Sequence, residues 1–297
     1  MVLVVLGFAG SALAARWDEA QAALAQLSWQ AVSAATIAAV AALGGQMLAW
    51  RALLADLGSP LPLRAAIRIM FLAQLGKYLP GSVWAFVGQV ELAKEYDVPR
   101  RRGGTATMLA VAVTVAVNLA VAAVCLPLTS PDAAQRWWWL LALAPVLLAC
   151  LHPRVVTWAV NLALRVLRRD PLETSPSLRG TAVAVAWTLL AWVPLGLHAW
   201  FLVLDASGGT TALAALPMAA GGYALAWTLG LIVIIAPAGL GVRELALTVA
   251  LSPVLSPGSA LIVAVVSRLV MTAADLLWAA LALLLTRRTR TPTGGFA

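Results

Sequence analysis

Two apolar stretches of this chain are interrupted by proline and glycine at the point where a charged side chain sits. The first reads Gly76-Lys77-Tyr78-Leu79-Pro80-Gly81-Ser82-Val83-Trp84 and runs into a short helical segment carrying Glu91. The second reads Pro237-Ala238-Gly239-Leu240-Gly241-Val242-Arg243-Glu244 and also precedes a short helical segment. A helix broken at membrane depth bares N–H and C=O groups that hydrocarbon cannot satisfy. It persists only where it lines a cavity or meets a polar ligand. A pair of such breaks, one in each half, points to a transport site.

Composition puts the chain in a membrane. Of 297 residues, 62% are hydrophobic and 11% charged, whereas ordinary soluble domains carry about a quarter charged residues. Runs of about twenty apolar residues can each cross a bilayer. Such runs lie at Gln30–Leu54, Gly104–Leu128, Trp137–Leu151, Thr181–Leu204, Thr211–Ile235 and Gly258–Leu285. The expected fold is an all-α polytopic membrane bundle of about seven or eight transmembrane helices, with two re-entrant or broken segments and inverted pseudo-symmetry. Val2–Ala15 reads either as a first transmembrane helix or, with its Ala12-Leu13-Ala14 ending, as a cleaved signal. Cys125 and Cys150 sit in apolar runs without a His or Cys partner and read as small buried hydrophobes. Most of the tryptophans, Trp17 and Trp137-Trp138-Trp139 among them, read as headgroup anchors.

The net charge of +8 does not imply nucleic acid, because the positive residues cluster in short loops beside the crossings. The basic loops are Arg51–Arg68, Lys94–Arg102, Arg154–Arg179 and the tail from Arg287. The positive-inside rule places them in the cytoplasm, with the C-terminus. That path requires the segment 65–95 to enter and leave on one side as a re-entrant hairpin, the alternative being one kinked crossing. It also requires a short return through 236–256. Residues 152–170 form a basic amphipathic helix suited to the cytoplasmic surface. Residues 1–286 then make one membrane domain, and 287–297 a disordered cytoplasmic tail.

Six ionisable groups lie within or beside apolar runs: Lys77, Glu91, Arg243, Glu244, Arg268 and Asp275. Each costs about 2.5–3.5 kcal/mol at a helix centre on insertion scales, so each needs a partner or water. Arg268 and Asp275 share a helix face two turns apart, with Thr272 between them, and each should meet a group from another segment. Trp84, Gly88 and Glu91 share a face of the first short helix, where Gly88 would permit close approach. Arg243 follows a Gly-rich turn at a helix start, where free N–H groups and a guanidinium suit a phosphate. It contacts substrate or pairs with Glu91, Glu244 or Asp275. His198 and Asn118 read as interhelical hydrogen-bonding residues. The candidate headgroup site is Lys77, Tyr78, Pro80, Gly81, Trp84, Glu91, Gly239, Gly241, Arg243, Glu244, Arg268 and Asp275. The chain carries no serine-nucleophile, zinc-protease or phosphate-loop motif, and neither an enzymatic activity nor a cofactor or metal is expected.

The two interrupted motifs, with the basic Val98-Pro99-Arg100-Arg101-Arg102 between them, resemble the lysylphosphatidylglycerol synthase transmembrane-region family. The likeness runs from Gln30 to Leu285 and includes Arg268 and Asp275. That family includes the flippase domain of bacterial multiple peptide resistance factors and stand-alone flippase-like proteins. The resemblance implies a multi-pass protein of the bacterial cytoplasmic membrane that moves a lipid between leaflets, without the aminoacyl-transferase domain of the longer members. The substrates it implies are phospholipids, aminoacyl-phospholipids or polyprenyl-phosphate-linked lipids. The expected partners are lipids with phosphate-containing headgroups, and also further copies of the chain or a lipid-synthesising enzyme. The competing expectation is a non-transporting accessory or scaffold subunit of a lipid-modifying or glycosylating enzyme.

Overall fold

The computed structural model describes residues 27–78, 83–131, 134–135, 138–166, 175–209, 212–232, 239 and 241–287. Val2–Ala15, the Leu79-Pro80-Gly81 tip, Arg168, Pro237-Ala238 and the tail after Arg287 lie outside them. In chain order the helices are α1 (Trp29–Asp56), α2 (Leu63–Gln74), α3 (Trp84–Lys94), α4 (Arg100–Cys125), α5 (Leu140–Ala149), α6 (Pro153–Val166), α7 (Leu178–Ala206), α8 (Leu216–Ile232), α9 (Val242–Leu251) and α10 (Pro257–Arg287). No strand occurs among the described residues.

Four helices, α1, α4, α7 and α10, are long and apolar enough to cross a membrane. The other two expected crossings are shorter. Helices α5 and α8 hold 10 and 17 residues, or about 15 and 25 Å of rise against a hydrocarbon core of about 30 Å. His152-Pro153 ends α5 early, because a residue before proline is held out of the helical region. The fate of α8 is different: it is one arm of a hairpin. Helix α6 covers the described part of the expected amphipathic segment.

Helices α1 and α7 form an antiparallel pair stapled at both ends. Ser28 and Ser177 cap the two helices, their hydroxyls accepting from Ala31 N–H at 3.2 Å and Gly180 N–H at 2.9 Å. Each cap serine is in turn held by an aspartate ending the other helix. Asp205 accepts from Ser28 N–H at 2.5 Å and Oγ–H at 3.0 Å. Asp56 accepts from Ser177 N–H at 2.6 Å and Oγ–H at 2.5 Å. Between the staples the backbones approach closely: a Cβ on Gly45 would lie 2.8 Å from that of Ala191. Small residues at such contacts are how apolar helices gain packing without a hydrophobic drive between them.

The α2–α3 unit is an antiparallel helical hairpin. Near its tip, a Cβ on Gly76 would lie 2.9 Å from Ala85 N; midway, Gln89 Nε2 donates to Met70 Sδ at 3.4 Å. At its root Arg68 pairs with Glu95 and donates to Tyr96 Oη at 3.4 Å. The close approach belongs to Gly76 and not to Gly88, whose added Cβ would make an ordinary 3.5 Å contact with Ala73. Helices α8 and α9 form a second antiparallel hairpin, Gly222 meeting Ala250 and Gly230 meeting Arg243.

The hairpins are rooted at opposite ends of the bundle. Arg102 Nη1 donates to Gly58 O at 3.2 Å and Arg51 Nε to Leu61 O at 2.7 Å, tying the α2–α3 root to the Asp56 end. Gly221 packs on Cys125 at the far end of α4, which puts the α8–α9 root at the Asp205 end. Helix α10 runs between them: Trp278 stacks on Phe71 at 4.5 Å and donates to Val40 O at 2.9 Å.

His198 and Asn118 are paired across helices, as expected. His198 meets Ala35 O at 3.2 Å and Ser267 Oγ at 2.9 Å. Asn118 accepts from Trp192 Nε1 at 2.9 Å and donates to Thr228 Oγ1 at 3.4 Å. One expectation fails: Cys150 is exposed at the end of α5. Trp50 and Trp192 are core residues, whereas Trp29, Trp138, Trp139 and Trp158 are exposed.

Candidate functional site

The described residues nearest the turns of the two hairpins line one cavity of about 420 Å³ at mid-height. Lys77 and Tyr78 reach it from the turn ending α2, Gly239 and Arg243 from the second hairpin, and Arg268 and Asp275 from α10. Arg268 and Asp275 sit about 17 and 27 Å along the roughly 45 Å of α10, so these charges lie far from either end of the bundle.

Asp275 is 1% exposed. Its Oδ2 accepts from Lys77 Nζ at 2.5 Å and from Tyr78 Oη–H at 2.7 Å, while Oδ1 is buried without a partner. Arg268 pairs with Glu244 at 2.5 Å. The two α10 charges, two turns apart on their helix, are thus each met from a hairpin. Glu244 also accepts from Gly241 N–H at 2.6 Å. The start of α9 is therefore capped by the chain's own carboxylate, and that N–H is not free for a ligand as the sequence suggested.

Arg243 is the exception. Its guanidinium lies 4.9 Å over the ring of Trp227, its Nε is buried without a hydrogen-bond partner, and among the described residues no carboxylate reaches ion-pair distance. A cation held on an aromatic face and otherwise uncompensated beside a cavity is poised for an anion. Gly230 makes room for it. A Cβ there would overlap Arg243 Cγ and lie 2.8 Å from Nε. Gly239 closes on the Gly230 backbone, where a Cβ would be 2.9 Å away, and both Gly239 (φ 70) and Gly241 (φ 82) adopt the left-handed conformation. Gly230→Ala is expected to leave the bundle folded but displace Arg243 from the Trp227 ring, weakening the hold of the cavity on an anion about as far as loss of the arginine itself. Melting temperature and anion binding measured side by side check this.

The other expected site residues are placed differently. Pro80 and Gly81 lie outside the described residues. Glu91 is away from the cavity, bonded to Arg100 at 2.8 Å and Lys94 at 3.4 Å, and the Arg100 guanidinium holds its carboxyl below the usual carboxylate range. Trp84 is half-exposed. The face of α3 that lines the cavity is instead Val83, Ala85, Phe86 and Gln89, the last accepting from Thr107 Oγ1 at 3.1 Å. Gln89, Trp227 and Gly230 are the wall residues that sequence reasoning passed over. None carries a charge or sits in a break, and only their packing against Thr107 and Arg243 marks them.

A comparison with curated proteins found no match. A family model described as lysylphosphatidylglycerol synthase TM region matches residues 1–279, which takes in both hairpins, the cavity and the charge pairs of α10. On that match over nearly the whole chain, the protein belongs to the lysylphosphatidylglycerol synthase TM-region family.

Proposed function

We propose that this protein is a lipid translocase, a flippase that moves a phospholipid, aminoacyl-phospholipid or polyprenyl-phosphate-linked lipid between leaflets, with its basic end and C-terminus in the cytoplasm. The observation that carries the reading is the meeting of two oppositely rooted hairpins at one mid-height cavity that holds an arginine with no carboxylate partner among the described residues. Each half of the chain has the same order, a long helix, a hairpin and a second long helix: α1, α2–α3, α4, then α7, α8–α9, α10. The directions are reversed between the halves, and the Ser28–Asp205 and Ser177–Asp56 staples exchange under that reversal. Inverted repeats with broken segments at the midplane are the architecture of alternating-access carriers. The same arrangement supports reading both hairpins as re-entrant: their tips need a polar lining, and the cavity supplies it.

The purified protein in liposomes should equilibrate a fluorescent phospholipid between leaflets without a partner. Absence of transport in well-folded, lipid-binding protein would point instead to a scaffold. Sidedness is tested separately. In a variant lacking Cys125 and Cys150, Leu63→Cys and Lys94→Cys, both exposed at the hairpin root, should label from the same face with a membrane-impermeant maleimide. Labelling from opposite faces would mean that α2–α3 crosses the membrane.

A further inference from the structure

We infer that the buried pair of Lys77 and Asp275 couples the site to protons: a phosphate headgroup that draws Lys77 away makes Asp275 take up one proton, so that lipid and proton bind together. The inference rests on the translocase reading and names the ion that would drive it. It starts from an asymmetry within the pair. Asp275 stands on α10, a continuous helix of 31 residues, and its side chain is 1% exposed. Lys77 stands on the short turn Leu75–Tyr78 that ends α2, carries its charge on a flexible stem, and is 28% exposed. Both line the cavity. The lysine can leave the pair; the carboxylate cannot follow it.

The two oxygens of Asp275 are used unequally. Oδ2 accepts from Lys77 Nζ at 2.5 Å and from Tyr78 Oη–H at 2.7 Å, while Oδ1 has no hydrogen-bond partner among the described residues. A carboxylate buried only to neutralise a lysine is expected to have its other lone pairs satisfied too. Glu244 is such a case, with Arg268 on Oε1 and Gly241 N–H on Oε2. On Asp275 a proton can add at Oδ1 without displacing either donor. The neutral acid then keeps Tyr78 as a donor to Oδ2 and no longer needs a cation. The step balances: the carboxylate and one proton from the aqueous phase become the acid, and the Lys77 ammonium passes from Oδ2 to a phosphate oxygen with its own protons retained. Phosphate and proton together bring no net charge into the site, whereas phosphate alone would leave two anions sharing one lysine.

The other titratable or charged groups around Asp275 are accounted for. Arg243 and Glu244 come from α9, Tyr223 from α8 and Arg268 from α10 itself. Helix α1 presents Leu43, Gln46, Met47 and Trp50 to the cavity, none of which titrates. From α7, His198 meets Ser267 of α10, and both of its ring nitrogens are hydrogen-bonded.

The test reads binding first, so that it is independent of transport. Phosphatidylglycerol is the probe, because its phosphodiester keeps its charge and any pH dependence belongs to the protein. Its Kd should tighten by up to about tenfold for each pH unit lowered, the linkage slope for one proton taken up with each lipid. An indicator dye in weakly buffered solution should report that uptake directly. Asp275→Asn still accepts from Tyr78 but cannot take the proton, so its binding should not vary with pH. If that variant folds poorly, Lys77→Gln combined with Asp275→Asn removes both charges and should give the same flat profile. Soluble glycerophosphoglycerol, the same diester without acyl chains, identifies the source: proton uptake with it assigns the coupling to a free diester, and uptake with the lipid alone assigns it to a lipid. In liposomes, an imposed pH gradient should accumulate the lipid in the leaflet facing the alkaline side. A flat profile in the wild type, or a wild-type slope in either folded variant, overturns the inference. Proton uptake without transport would leave the inference standing and remove the translocase reading; transport without proton uptake, indifferent to the gradient, would do the reverse.

Discussion

Arg243→Ala is expected to reduce lipid translocation about 10- to 100-fold, the loss of one charge-assisted contact of about 1.5–3 kcal/mol, while the protein stays inserted and monodisperse. The prediction separates a ligand role from a structural one. Arg243 has no carboxylate partner among the described residues, only the ring of Trp227, so its removal strands no buried acid. Had it been a counter-ion to Asp275, alanine would have cost the fold as well as the function. Arg243→Lys should rescue only in part, since an ammonium supplies the charge without the planar fork. Liposome transport and thermal unfolding need to be measured on the same preparations. Normal transport by a well-folded Arg243→Ala protein would take this residue out of the substrate site.

Asp275→Ala should act in the opposite way, through stability. Lys77 and Tyr78 both donate to its Oδ2 in a site where the carboxylate is 1% exposed. Removing one member of a buried ion pair costs about 3–5 kcal/mol, because the other charge remains without its partner. A lower melting temperature and aggregation on extraction are the expected signs. Adding Lys77→Met removes the stranded ammonium and should recover much of the loss. An Asp275→Ala variant that melts with the wild type would show that the α2 turn and α10 are not coupled through this pair.

The difference between those two outcomes could not be read from the sequence. Arg243, Arg268, Asp275, Glu244 and Lys77 were all visible as charges in apolar surroundings, and insertion cost alone required that they find partners. Which charge paired with which was not visible. Glu91 has the same chemistry and a similar position beside a break, yet it is bonded to Arg100 and Lys94 away from the cavity. Its helix presents Phe86 and Gln89 to the cavity, a face set by how α3 lies on α2 and α4. Gly88 looked like the point of close approach, but the tight contact falls on Gly76. Tryptophan is common at membrane interfaces, which hid the role of Trp227 beneath Arg243.

Length and apolarity by themselves determined the four long helices, because a continuous run of more than twenty apolar residues has few other places to go. The proline and glycine breaks by themselves determined that two helices are interrupted, since neither residue sustains a helix, but left open whether the first was a hairpin or one kinked crossing. What only the tertiary structure decided is the assignment of partners across the cavity. Lys77 meets Asp275, almost two hundred positions away in the chain, and Glu244 turns back to close its own helix while holding Arg268. Such pairings depend on the depth to which each hairpin inserts and on the rotation of α10. Those are fixed by packing contacts such as Phe71 on Trp278 and Gly230 beneath Arg243. Charge is a property of single residues and can be read one position at a time; compensation is a property of neighbours in space, and only the packed bundle shows that, among the described residues, Arg243 has no carboxylate partner.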